Sequence, residues 1–194
     1  WERARLGVLG SWGSGGTPLR SRSEYYTSGT IPWVKIGDLN DGVIRGADVQ
    51  ITDAGLRNSS AKLLPENVLL IAMYGSIGKL GITGMSCATN QAIAFCLPKI
   101  DPKYMFWALR GMRNRLVKLG KGGTQSNISQ TVLKDFEISI PPTPEQNRIV
   151  EKIEELFSDL DAGVAGLKRV KANLKRYRAS VLKAAVEGRL VPTE

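Results

Sequence analysis

The chain contains no histidine in 194 residues. That removes serine–histidine triads, cysteine–histidine dyads, histidine-ligated metals and imidazole general bases in one step. Acid–lysine spacing is nearly absent as well. Glu-x-Lys, which a common metal-dependent nuclease core needs, does not occur, and Asp-x-Lys occurs once, as Asp101-Pro102-Lys103 at a helix start. There are two cysteines, Cys87 and Cys96, too few for a disulfide framework or a cluster of metal ligands. Both stand in apolar surroundings, as reduced core residues of a cytoplasmic protein would. No apolar run reaches the roughly 18 residues of a membrane span, and no signal peptide is visible. Acid is missing locally too: between Lys103 and Lys134 there is no Asp or Glu. Catalysis is hard to assemble from this inventory.

The motifs that remain do not restore it. Gly75-Ser76-Ile77-Gly78-Lys79 resembles a phosphate loop, but Met73 stands where its first glycine should be and Leu80 where magnesium needs a hydroxyl. Trp12-Gly13-Ser14-Gly15-Gly16 is too short for a dinucleotide fingerprint. Ile140-Pro141-Pro142-Thr143 lacks the amide or acid before the prolines, and the aromatic after them, of an amino-methyltransferase. A net charge of +9 and a pI near 9.7 point instead to an acidic partner, most simply nucleic acid.

The most regular stretch lies between Thr143 and Gly188. Thr143-Pro144-Glu145-Gln146 reads as a capping box with proline at the first helical position, and Gly188 and Pro192 mark the stop. Ile149, Ile153, Leu156, Leu160, Val164, Leu167, Val170, Leu174, Tyr177 and Val181 recur by threes and fours, a seam that buries itself against another helix. From Glu145 to Asp161 six acids face two bases, and from Lys168 to Arg189 eight bases face Glu187 alone. An antiparallel copy sets acid beside base, whereas a parallel one stacks like on like. Gly163 and Gly166 mark the expected bend or close crossing.

The first hundred residues read as short strands between glycine-rich turns. Ser11–Pro18 is expected as a loop, 31–39 and 43–51 as a hairpin through Asn40-Asp41-Gly42, and 52–58 as a helical turn. Strands are expected over 67–73, 80–83, 91–97 and 136–140. A helix from Asp101-Pro102 to about Leu119 should pack Met105, Leu109, Met112, Leu116 and Leu119 on the sheet. Lys103, Trp107, Arg110, Arg113 and Lys118 should fall on its outer face. Gln125 and Asn127 carry amides suited to adenine, while Arg20 and Lys35 suit guanine. The two glycine loops can bring backbone amides to phosphates, and Tyr25, Tyr26, Trp33 and Tyr74 can pack on sugars or bases.

Taken in order, several short motifs resemble the specificity subunits of type I restriction–modification systems. They are Gly15-Gly16-Thr17-Pro18, Ile31-Pro32-Trp33-Val34-Lys35-Ile36-Gly37-Asp38-Leu39, Gly75-Ser76-Ile77-Gly78-Lys79 and Asn90-Gln91. They continue with Gly123-Thr124-Gln125-Ser126-Asn127-Ile128-Ser129, Pro141-Pro142-Thr143-Pro144-Glu145-Gln146 and Ala184-Ala185-Val186-Glu187-Gly188-Arg189-Leu190-Val191-Pro192. The resemblance implies an α+β fold: a mixed, β-rich globular recognition domain over 1–142, then a long C-terminal α-helix over 143–194 forming an antiparallel coiled coil. It implies a non-catalytic, sequence-specific DNA-binding subunit that reads one half of a bipartite target on double-stranded DNA.

Such a subunit holds methyltransferase (modification) and restriction/translocase subunits, to which S-adenosylmethionine, ATP and Mg belong, and itself has no cofactor. The candidate DNA-contacting residues are Thr17, Arg20, Lys35, Tyr74, Ser76, Lys79, Lys121, Thr124, Gln125 and Asn127. Specificity subunits of this kind carry two recognition domains in tandem. One is present here, so the chain is expected to be half of a longer polypeptide or a half-subunit that pairs with itself or with a second half. A recognition module of a single-chain restriction–methylation enzyme, or a stand-alone dimeric nucleic-acid-binding protein, is the alternative.

Overall fold

The computed structural model describes residues 1–120 and 127–190. The chain divides into two compact units, Trp1–Val150 and Glu151–Glu194.

Among the described residues the globular unit holds ten strands and the shorter helices. In chain order these are β1 (Glu2–Arg5), β2 (Gly10–Ser14), β3 (Ile31–Val34), β4 (Gly42–Ile44), β5 (Gln50–Ile51), α1 (Asp53–Arg57), β6 (Leu69–Ala72), β7 (Leu80–Thr83), β8 (Ala88–Thr89) and β9 (Ile93–Pro98). There follow α2 (Pro102–Gly111), α3 (Arg113–Lys118), α4 (Gln130–Asp135) and β10 (Glu137–Ile140), after which α5 (Thr143–Val186) begins. The central sheet has the order β2-β9-β6-β7-β4. Its pairs are antiparallel except β4 with β7, which run parallel. A smaller sheet, β5-β3-β8, and the antiparallel pair β1-β10 complete the unit.

β6 and β9 explain why this sequence needs two layers around one sheet. Both are apolar along their length, and alternate residues of a strand face opposite sides. Leu69, Ile71, Ala94 and Cys96 enter one core with Met105, Leu109 and Leu116 from α2 and α3. Leu70, Ala72, Ile93 and Phe95 enter a second core with Val34, Leu39, Ile44 and Val68. Each fully buried large aliphatic contributes roughly 1.5–3 kcal/mol. Burial pushes the thiols of Cys87 and Cys96 up to about 11 and about 12, so both are inert core residues.

Four expectations are corrected. Residues 10–14 form β2 rather than a loop, because β9 lies close enough to require glycine: a Cβ at Gly10 would fall 2.4 Å from Cys96 Sγ, and one at Gly13 2.3 Å from Phe95 Cζ. No hairpin joins 31–39 to 43–51 through 40–42. β4 runs parallel to β7, and of residues 43–51 only β5 pairs with β3. The helix after Asp101 breaks at Met112 into α2 and α3. Met105, Leu109 and Leu116 are buried, as the periodicity requires, but Leu119 is exposed. Finally, Gln146 does not reach back to cap α5. It is buried, donating from Nε2 to Pro141 O (2.9 Å) and accepting at Oε1 from Asp101 N–H (3.3 Å).

The second unit is helix. α5 runs unbroken through Gly163 and Gly166, beside which nothing lies within 4 Å of an added Cβ. It ends in a glycine C-cap: Gly188 has φ +69, Gly188 N–H donates to Ala185 O (3.2 Å), and Arg189 N–H donates to Ala184 O (2.8 Å). That pair of bonds is the Schellman arrangement, which satisfies carbonyls the helix end would leave bare. Of the expected seam, Leu156, Leu160, Val164, Leu167, Val170, Leu174 and Tyr177 are exposed, while Ile149, Ile153 and Val181 are half-buried. Val150, outside the expected seam, is buried in the globular unit.

Candidate nucleic-acid interface

Two groups of candidate residues form in the globular unit. The first gathers on the Gly15–Arg20 segment. Gly16 N–H donates to Thr89 O (2.9 Å), and a Cβ at Gly15 would fall 2.0 Å from that same oxygen, so only glycine lets the loop lie this close to β8. The Thr17 hydroxyl donates to Gln91 Oε1. Tyr26 OH donates to Pro18 O (2.6 Å), and Trp33 Nε1 donates to Gly16 O (3.0 Å). The exposed Arg20 guanidinium stands 5.5 Å from the centre of the Trp33 ring. Trp33 is therefore a core residue bracing the loop and is unavailable to bases, which corrects its place among the stacking candidates. Tyr26 is half-buried and also braces. Lys35 follows β3 and is half-buried, and Asn90 N–H donates to Val34 O beside it (3.1 Å).

The second group sits on the connection between β6 and β7. Tyr74, Gly75 and Ser76 are exposed, while Ile77 and Gly78 are buried beneath them. Gly75 and Gly78 both have positive φ, +63 and +74, which glycine alone adopts without cost. Tyr74 pairs with the exposed Asn127 in an isolated bridge, and Ile128 N–H donates to Met73 O (2.9 Å). Lys79 Nζ donates to Ile36 O (3.4 Å), the residue after Lys35. Met73 N–H donates to Ala92 O (2.9 Å), the residue after Gln91. These two bonds make the groups neighbours. Thr17, through Gln91, and Lys35, through Ile36, are thus joined to the loop that carries Tyr74, Ser76 and Lys79, and Asn127 bridges to the same loop, although the chain separates them widely; Arg20, three residues beyond Thr17, stands over Trp33. Lys121, Thr124 and Gln125 lie outside the described residues.

Asp41 and Arg113 belong to this region and were not among the expected site residues. Arg113 was expected on the outer helix face. Instead it turns onto the Asp41 carboxylate with two bonds and donates from Nε to Gly78 O (2.8 Å). With Ser76, Ile77 and Lys79 the pair lines a groove of about 450 Å3. Partial burial works against the Asp41 charge. The bonds from Arg113 and Leu80 N–H, and the charges of Arg113 and Arg110, outweigh it and hold the carboxyl below its ordinary value. An acid-free stretch from 103 to 134 was itself the signal, since a cation there must find its acid far away in sequence. Among the described residues no cluster of acids and cysteines could hold a metal ion, and no helix is long and apolar enough to cross a membrane.

Comparison with known proteins agrees with this architecture. A solved chain from work on complex assembly and conformational transition of the type I R-M system superposes with a TM-score of 0.76 at 22% identity, covering 98% of this chain and 46% of that one. The HsdS subunit from Thermoanaerobacter tengcongensis gives 0.68 at 22% identity, covering 98% and 45%. In sequence, the chain is 28% identical over 185 residues to the type I restriction enzyme EcoR124I/EcoR124II specificity subunit of Escherichia coli, 91% of this chain and 46% of that protein. It is 25% identical over 167 residues to the MjaIX specificity subunit of Methanocaldococcus jannaschii, 82% and 38%. The chain thus spans less than half the length of these relatives. Residues 1–168 match the type I restriction modification DNA specificity domain, and the chain belongs to that family.

Proposed function

We propose that the chain reads one half of a bipartite sequence in double-stranded DNA and has no catalytic activity of its own. The observation that carries this reading is the linkage of the segments bearing Thr17, Lys35 and Asn127 to the loop bearing Tyr74, Ser76 and Lys79, with Arg20 three residues beyond Thr17. Cations fix the protein to phosphates, while amides, hydroxyls and an exposed aromatic approach base edges. Lys121, Thr124 and Gln125 are further candidate contacts to the same DNA, named from the sequence. Modification subunits binding S-adenosylmethionine, and restriction subunits using ATP and Mg, assemble on it in the cytoplasm. The exposed apolar seam of α5 takes an antiparallel copy of itself or a second half, and the acidic beginning and basic end of the helix select that orientation.

The test is selection from a pool of duplexes with a randomised window, using the purified chain. A defined motif should be enriched, its binding should fall steeply with salt through counterion release, and the DNA should be recovered uncut and unmethylated. Recovery of a random pool would overturn the reading. Cleavage or methyl transfer by the chain alone would overturn its non-catalytic part.

A further inference from the structure

The exposed tip at Tyr74-Gly75-Ser76 is closed by a bond from Ser76 N–H to Tyr74 O (2.6 Å). A three-residue turn of this kind is too small to hold its own direction. Its position is set from below. Ala72 and Lys79 are joined by Ala72 N–H to Lys79 O (2.9 Å), and Gly78 N–H returns to Ala72 O (3.1 Å). Lys79 N–H also donates to Ser76 O (3.0 Å), and the bridge of Tyr74 with Asn127 holds one side of the tip; the other side is held by Asp41 and Arg113. Asp41 has φ +59, a left-handed turn that aspartate tolerates better than most residues. Its backbone N–H donates to Leu80 O (3.0 Å), and its Oδ1 accepts from Leu80 N–H (2.9 Å). Arg113 Nη1 donates to Asp41 Oδ2 (3.0 Å), Nη2 donates to Oδ1, and Nε donates to Gly78 O (2.8 Å). One guanidinium therefore ties the start of α3, the turn before β4 and the base of the β6–β7 loop. A Cβ at Gly78 would fall 3.2 Å from Arg113 Cγ, so the arginine stem lies against the loop backbone itself.

We propose that Asp41 and Arg113 form a positioning clamp that fixes the Tyr74–Ser76 tip and thereby sets base preference without touching DNA. The inference rests on the DNA-reading function above. A planar, bidentate ion pair suits the task because it fixes angle as well as distance, which a lysine does not. Contact groups lose discrimination when their supporting shell loosens by about 0.5 Å or more. The clamp's own charges are largely spent on each other, leaving Lys79 and Ser76 to face the groove.

The experiment uses the whole chain, the randomised duplex pool and three variants: Asp41→Asn, Arg113→Lys and the two combined. Asparagine keeps the left-handed turn and an acceptor for Leu80 N–H while removing the bidentate geometry; lysine keeps the cation while removing that geometry together with the Nε donor to Gly78 O. Each single variant should lower preference for the enriched motif about five- to tenfold at one or two adjacent positions, the scale of a single weakened base contact. The double variant should be no worse than either single, as for two parts of one device. The slope of log affinity against log salt should stay unchanged, since no phosphate contact is lost. Amide hydrogen exchange should quicken across 75–79 and stay unchanged in Leu69–Ile71.

Unchanged preference in both single variants, additive losses, or a salt slope lowered by about one would overturn the clamp. So would faster exchange throughout β6, which would mark the pair as a general stability element. A wild-type chain that enriches no motif overturns the DNA-reading function itself, a result separate from any of these.

Discussion

Trp33 and Leu167 are both large apolar side chains, and their circumstances are opposite. Trp33 is 1% exposed, its ring edge-on to Tyr26, its indole nitrogen bonded to Gly16 O. Leu167 is 71% exposed on α5, with Leu174 and Tyr177 at 62% and 68%. The globular unit completes its own cores, whereas the helical unit satisfies its backbone and leaves its side chains wanting. A row of this length is more than a scatter of surface leucines and marks an interaction surface. The globular unit gains its stability within one chain, and under the proposed pairing the helical unit gains it by association.

The largest expected effect comes from breaking the helical side of that contrast. Leu160→Glu with Leu167→Glu should abolish self-association in sedimentation, since two buried leucines contribute roughly 3–6 kcal/mol before the cost of burying charge. The melting of the globular unit should not move. Retained dimers would show that the seam is not the interface. Trp33→Ala should do the converse. It should destabilise the globular unit by about 3–5 kcal/mol, leave Gly16 O without its indole donor and spare association.

A smaller effect belongs to Gln146, where α5 begins. Gln146→Ala strands Pro141 O and Asp101 N–H, a loss of about 1–3 kcal/mol by thermal melting. Glutamate would accept from Asp101 but could not donate to Pro141, and should recover only part of it. The smallest effect is electrostatic. The Asp41 carboxyl is held below its unfolded value, so its contribution is complete above that value and is lost as pH falls through the depressed one. Asp41→Asn should therefore flatten part of the acid limb of stability, by on the order of 1 kcal/mol or less, and change nothing of the pH dependence near neutrality. A steeper acid limb in the variant would reverse the sign of this account.

The parts of this molecule written in local pattern were readable from the string. The run 67–73 announced β6, 80–83 coincides with β7, and the threes and fours after Thr143 announced a helix that ends two residues before Gly188. What misled was set by partners remote in sequence. Gly13, in the expected loop from Ser11, looks like a turn residue until Phe95 lies across from it. Asn40-Asp41-Gly42 looks like a hairpin link until its aspartate is found holding Leu80 and Arg113. The candidate interface divides the same way. Arg20 and Lys79 could be named from residue type and motif, but the loops that carry them are held by Trp33, Ile36 and Ala92, remote in sequence. Arg113 escaped because an arginine on a helical wheel looks solvated, and its acid lies 72 residues away.

The pairing of β1 with β10 has a consequence of its own. Glu2 stands opposite Ile140 and Arg5 opposite Glu137, so the segment that leads into the globular unit and the segment that leads out are laid side by side. This two-stranded stem is tied into what it carries, since Ile138 is buried in the first core and Ala4 and Ile140 pack against it. Entry to the unit and exit from it are therefore one mechanical joint, and a strain applied at either strand is felt at once by the other and by the core between α2 and the central sheet.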